Sequence, residues 1–198
     1  MTPTLFSWIV DVVAQYFAIF YSPIFVFWLV IHSNIRHWRQ LGNKTYWFGG
    51  LLWSAICIPL LIYRSAIFAS RLPTPWWTTG LGLLLLGYAV RMGWLATRVI
   101  PRRTVVGLAE VAPQKNDPPM LNTGIYSRTR NPIIFAHLTA AAALALLSGF
   151  AAIWLLLALD LLLAPWMIRT EERELIARFG SSYSDYMQRV PRFIPKRP

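Results

Sequence analysis

The chain has a single cysteine, Cys57, in 198 residues. That excludes an intrachain disulfide framework and a cysteine-built metal site. Acidic residues are also scarce. Eight Asp and Glu stand against nineteen Lys and Arg, for a net charge of +11. No Gly-rich phosphate loop, HExxH, GxSxG or dinucleotide fingerprint occurs. His32 and His37 have no Asp or Glu close in sequence to complete a ligand set, so no metal site is expected. The first residues lack the basic start and small-residue cleavage site of a signal peptide. Internal repeats and low-complexity tracts are absent as well.

Apolar residues are what the chain has in excess. It is 56% hydrophobic with ten tryptophans, and its mean hydropathy is +0.46. No soluble single domain of this size needs so much apolar surface. Apolar segments run at about Leu5–Ile31, Trp47–Ala69, Trp76–Ile100, Ile133–Leu147 and Phe150–Ile168. A bilayer core of roughly 30 Å takes roughly 20 helical residues. Ile133–Leu147 supplies only about 22 Å, so it extends through Asn131 or tilts little. Ser148-Gly149 then reads as the turn of a helical hairpin. The expected fold is all-α, a polytopic membrane protein with about five transmembrane helices. Its last two helices form the hairpin, and a helix and tail follow on the cytoplasmic side. The chain divides into residues 1–100, with three N-terminal spans, and residues 101–198, with a loop, the hairpin and the tail.

The charges give the orientation. With the N-terminus outside, only Arg71 lies on the outer side, and Arg64 and Arg91 fall within spans. The other Lys and Arg lie inside, as the positive-inside rule requires. The C-terminus is then cytoplasmic and the protein sits in a membrane of the bacterial inner-membrane type. Topology accounts for the basic charge, so no nucleic-acid partner is expected. The loop Pro101–Thr123 carries Pro101, Pro113, Pro118 and Pro119 and does not read as one helix. Long loops of this kind tend to be functional or mobile.

Two polar stretches flank the hairpin. The first is Gly124-Ile125-Tyr126-Ser127-Arg128-Thr129-Arg130-Asn131-Pro132. Gly124 permits a tight turn. Asn131-Pro132 is a helix-start signal, and a helix start favours anions. The plain alternative is a membrane-entry loop with interfacial Tyr126 and snorkelling Arg128 and Arg130. The second stretch begins at Arg169-Thr170-Glu171-Glu172 and ends at Val190-Pro191-Arg192-Phe193-Ile194-Pro195. Glu172 and Glu174 read as helix-surface ion-pair residues, Glu174 with Arg178 at i,i+4. Glu171 lies three turns beyond Asp160 and points nearly the same way. A hairpin returns its ends to one side, so the two stretches should meet.

Charges inside the spans call for partners. Depth arithmetic pairs Asp160 with Arg91, roughly 12 and 13 Å below the inner surface, and pairs Asp11 with Arg64. Both read as more structural than catalytic. His137, one turn into the fourth span, reads either as a hydrogen-bonded core histidine or as a general base.

The order Gly124-Ile125-Tyr126, Arg130-Asn131-Pro132, Glu171-Glu172, Phe179-Gly180, Tyr183, Tyr186 and the Val190–Pro195 ending resembles a known pattern. It is similar to that of integral-membrane methyltransferases related to isoprenylcysteine carboxyl methyltransferase, with phospholipid N-methyltransferases as relatives. The resemblance covers about residues 118–195. It implies S-adenosyl-L-methionine as cofactor. By position it implies cofactor contacts at Met120, Leu121, Gly124, Tyr126, Arg130, Asn131, Pro132, Ile134 and Glu171. A family arginine that faces the substrate falls near Met167 here, which leaves Arg169 as the nearest candidate. Asn131 stands where the prenylcysteine enzymes have His, and Ile134 where many relatives have Tyr. The implied function is methyl transfer at the cytoplasmic face to a lipophilic carboxylate, amine or thiol entering from the bilayer. Arg169 and His137 are the positioning candidates. Other readings are an NADPH-dependent membrane reductase of the sterol-reductase type and a non-catalytic membrane scaffold or carrier.

Overall fold

The computed structural model describes residues 4–42, 44–100 and 120–195. The expectation for Pro101–Thr123 falls largely on residues 101–119, outside the described residues. Among the described residues the chain is helical, and a single antiparallel bridge joins Arg71 to Phe150.

Helix α1 (Leu5–Tyr16) starts at Thr4, whose side chain accepts the Ser7 amide. This is an ordinary N-cap that satisfies an otherwise unpaired donor. A π-helical turn (Phe17–Tyr21) and Pro23 lead into α2 (Ile24–Ser33). Helix α3 (Ile35–Leu41) follows, and α4 (Lys44–Ile62) returns across the bundle. The chain breaks at Tyr63 into a short α5 (Arg64–Ile67). The second span therefore stops before the expected Ala69, a few residues after Pro59. Then come α6 (Trp76–Thr97), a 3-10 turn (Gly124–Ser127), α7 (Pro132–Ser148), α8 (Ala151–Phe179) and α9 (Ser181–Arg189).

Four helical runs are long and apolar enough to cross a membrane: Leu5–Ser33, Lys44–Ile62, Trp76–Thr97 and Ala151–Phe179. Helix α7 is apolar but only 17 residues long. Its position explains its character. Ala141, Ala143 and Ala145 have no exposed surface, and Leu144 and Ser148 are buried too. A helix that is apolar all round belongs inside a bundle. Its small side chains let α6 come close. A β-carbon on Gly82 would lie 2.6 Å from Leu147 Cγ. Close approach through small residues is how helices associate without water to drive them together. The opposite faces of α4 and α6 leave Leu51, Ile62, Leu84 and Val90 exposed, as lipid contact requires.

The hairpin turn holds one end of the bundle. Gly149 ends α7 at φ 71°, and a β-carbon there would lie 2.7 Å from the Leu72 carbonyl oxygen. Leu72 N donates to Gly149 O at 2.7 Å, and Ala151 N donates to Ser70 O at 3.0 Å. Gly149→Ala is expected to lower stability by about 2 kcal/mol, from left-handed strain and the carbonyl clash. Thermal unfolding in detergent checks this. Arg71 ties the same end together. It donates to both Asp11 carboxylate oxygens, at 3.0 and 2.7 Å, and to Ser148 O at 3.2 Å. Its guanidinium also lies 4.1 Å from the centre of the Phe150 ring.

These contacts correct two expected pairs. Asp11 takes Arg71, from the segment after α5, while Arg64 is exposed on α5. Asp160 takes His137, at 2.9 Å, while Arg91 is exposed on α6. Depth was the right quantity but rotation decides the partner. Helix α6 turns Ala89, Met92 and Ala96 inward and packs on α7, so Arg91 points outward.

Candidate functional site

The two polar stretches meet at the end opposite the hairpin turn. Gly124 has φ 57°, and a β-carbon would lie 2.8 Å from Val99 Cγ2. Glycine therefore lets the 3-10 turn tuck under the end of α6. Asn131 precedes α7 and Pro132 opens it, as the sequence predicts, but the Asn131 side chain makes no cap bond. Its Nδ2 donates to Arg192 O at 3.0 Å instead. Thr129 Oγ1 donates to Phe193 O at 2.7 Å, and Arg130 N to Pro191 O at 3.0 Å. The C-terminal segment is thus clipped along the first stretch. Tyr186 OH adds a 2.6 Å bond to Tyr126 O. Burial pushes the Tyr186 phenol up to about 12, against the opposing Arg130 charge, so it stays a neutral donor.

Glu172 sits at the centre of this closure. It is 6% exposed. Arg130 Nη1 lies 3.0 Å from one of its oxygens and Arg192 Nη2 2.6 Å from the other. The expectation of a surface ion pair for Glu172 is therefore corrected. Folding back of the tail buries it, which local helix spacing does not reveal. Arg130 keeps capacity in reserve. Its Nε and Nη1 are buried without a well-directed hydrogen bond, despite the short distance from Nη1 to Glu172. Glu174 reaches across to Arg39 and to His32 Nδ1, at 3.2 Å for the latter, tying α8 to the α2–α3 corner.

A cavity of about 490 Å³ opens beside this closure. Its polar end is lined by Tyr126, Arg130, Asn131 and Glu171, with Met120, Leu121, Pro132 and Ile134 alongside. Its apolar end, among the membrane helices, is lined by Tyr21, Phe25, Trp28, Gly93, His137 and Met167. Burial first, then the Glu171 charge, pushes the Tyr126 phenol far above its ordinary range. Burial and the charges of Glu171 and Glu172 do the same to Tyr183, against Arg130. Both phenols stay protonated donors beside an anionic wall.

Two expected site residues lie elsewhere. Gly124 shapes the turn but does not line the cavity. Arg169 is exposed. At roughly 100° per residue, position 169 points away from the cavity, whereas Met167 and Glu171, four apart, share the cavity face.

His137 has a setting the sequence did not show. Its Nε2 lies 2.9 Å from Asp160 Oδ2, both side chains being almost fully buried. The rings of Phe17, Tyr21 and Phe25 surround the imidazole at 4.9, 5.0 and 4.8 Å. Nδ1 is buried without a hydrogen-bond partner. The signal was present as Phe17, Tyr21 and Phe25 at four-residue intervals. The π-helical turn between them keeps the three rings in one stripe. Among the described residues, no group of three or more His, Cys, Asp or Glu could hold a metal ion.

The chain is 32% identical over 140 residues to a protein named Methanethiol S-methyltransferase 2 from Bradyrhizobium diazoefficiens. That match covers 63% of this chain and 51% of the relative, so the chain spans about half the relative's length. No solved structure matches. Residues 77–182, more than half of the chain, match the family model described as Phospholipid methyltransferase, and the chain belongs to that family.

Proposed function

We propose that this chain is an S-adenosyl-L-methionine-dependent methyltransferase acting on a lipophilic acceptor at the cytoplasmic face of a membrane. The observation that carries the reading is the two-ended cavity, polar at Arg130, Asn131 and Glu171 and apolar at Phe25, Trp28 and Met167. The residues suit the cofactor. Arg130 offers buried, underused donors for a carboxylate. Glu171 offers a carboxylate for an ammonium or ribose hydroxyls, and the apolar side chains accept the base. Tyr126 offers an aromatic face to a sulfonium, a contact of roughly 0.5–2 kcal/mol. When bound, the cofactor supplies an electrophilic methyl carbon.

The chain's own task is then alignment and exclusion of water. The clipped C-terminal segment covers the polar end, and the membrane helices hold the acceptor. The acceptor is a carboxylate, amine or thiol, and the name of the Bradyrhizobium relative adds a small thiol to that range. The reductase reading is weaker. The cavity's cations, Arg130 and Arg178, share its wall with Glu171, a poor match to polyanionic NADPH. The N-terminus is outside and the C-terminus cytoplasmic, which puts the polar end of the cavity beside the cytoplasm.

Calorimetry of S-adenosyl-L-methionine binding to detergent-solubilised protein tests this. Glu171→Ala and Tyr126→Ala are each expected to weaken binding by about tenfold or more, roughly 1.4 kcal/mol. Unchanged affinity in both variants contradicts the site.

A further inference from the structure

We infer that His137, held by Asp160, is the general base of the reaction and that the acceptor is a lipophilic thiol. The inference rests on the methyl-transfer reading above and narrows its acceptor. A carboxylate and an imidazole buried among apolar helices are costly and mark functional positions by default. The pair is also directional. Nε2 faces the Asp160 carboxylate, so the tautomer protonated at Nε2 donates to Asp160 and carries its lone pair on Nδ1. Nδ1 has no partner, although the side chain is only 2% exposed. A base oriented by a carboxylate, with its second nitrogen unspent, is the arrangement that activates weak nucleophiles.

Position separates this base from the cofactor end. His137 lies five residues beyond Pro132, where α7 begins just after Arg130 and Asn131, and so roughly 7 Å along the helix. It lines the same cavity, at the end walled by Tyr21 and Phe25. A group there serves the acceptor.

The strength of the base selects the acceptor. A carboxylate is already ionised and needs no base. An amine attacks through its neutral lone pair. An alcohol is too weak an acid for imidazole. A cysteine thiol has a pKa of about 8.5 in water, a plain alkanethiol is a weaker acid still, and burial raises either, so unassisted thiolate is scarce in this cavity. In the step, Nδ1 takes the S–H proton. The freed sulfur pair forms the new bond to the methyl carbon as the bond from that carbon to the donor sulfur breaks, its pair staying on that sulfur. The imidazolium is held by Asp160 and by the stacked Tyr21 ring, with Phe17 and Phe25 beside it, until its proton leaves to water.

The test uses the full chain in detergent with hexanethiol, 4-nitrothiophenol (ionised at neutral pH) and a fatty-acid carboxylate as acceptors. Wild type is expected to methylate hexanethiol at a rate that falls as pH drops. His137→Gln should lose about 100-fold or more with hexanethiol, and less than about 10-fold with the pre-ionised thiol. Its calorimetric affinity for S-adenosylhomocysteine should stay within about threefold of wild type, since the cofactor end is untouched. Asp160→Asn, which keeps a hydrogen-bonding partner, should show the same dependence on acceptor acidity with a smaller loss. Equal loss with both thiols, in either variant, overturns the base assignment. Methylation of the carboxylate but of neither thiol overturns the inference and leaves the methyl-transfer reading standing. Failure of wild type to bind S-adenosylhomocysteine overturns both.

Discussion

Arg130→Met should lower stability by about 3–5 kcal/mol and abolish cofactor binding. Arg130 and Glu172 are both more than nine-tenths buried, and breaking such a pair strands a charge away from water. Arg192 remains to hold Glu172, at 2.6 Å, which keeps the loss toward the lower figure. Arg192→Met should cost less, about 1–2 kcal/mol, because its side chain is 36% exposed and water takes up part of the work. Arg130→Lys should restore much of the stability but little of the binding. A lysine keeps the charge toward Glu172 but loses the planar fork that can serve Glu172 and a bound carboxylate together. Thermal unfolding in detergent beside calorimetry separates the two effects. Equal losses for the Arg130 and Arg192 variants would contradict the central place given to Arg130.

The second large effect concerns His137 and Asp160. His137→Leu alone or Asp160→Val alone should each cost about 3 kcal/mol, since each leaves a buried polar partner unsatisfied. The double variant should recover most of that loss. Replacing both members of a buried pair with apolar groups is often neutral or stabilising. Activity toward hexanethiol should stay lost in all three. A double variant as unstable as the sum of the singles would mean that the pair is needed to hold α7 against α8, and would weaken its assignment to chemistry. The cycle thereby separates a site residue from a structural one.

Much of the architecture follows from local chemistry and was therefore legible. Asn131-Pro132 does begin a helix, and Ser148-Gly149 does turn the hairpin, because proline at a helix start and glycine at positive φ are local requirements. The meeting of the two polar stretches followed from hairpin geometry, and the Thr129, Arg130 and Asn131 bonds to residues 191–193 realise it. What escaped depends on rotation and on long-range burial. Asp160 pairs with His137 rather than Arg91, because spacing along an axis does not say which way a neighbouring helix turns. Arg169 is two residues from Met167 and lies exposed on another face for the same reason. Helix spacing puts Glu172 on the surface, but its burial comes from Arg192, twenty residues on. The i,i+4 spacing points Glu174 along its own helix, whereas its partners Arg39 and His32 come from the far end of the sequence. Hydropathy suggests about five spans, yet among the described residues four runs are long and apolar enough, and α7 is a shorter helix enclosed by the bundle.

The central claim is that the polar end of the cavity holds the methyl donor. A structure of the full chain with S-adenosylhomocysteine tests it most directly. The account predicts the amino-acid portion beside Arg130, with Glu171, Tyr126 and Asn131 in contact and His137 beyond the sulfur on the apolar side. Density elsewhere on the protein, or an empty cavity at saturating concentration, would contradict it.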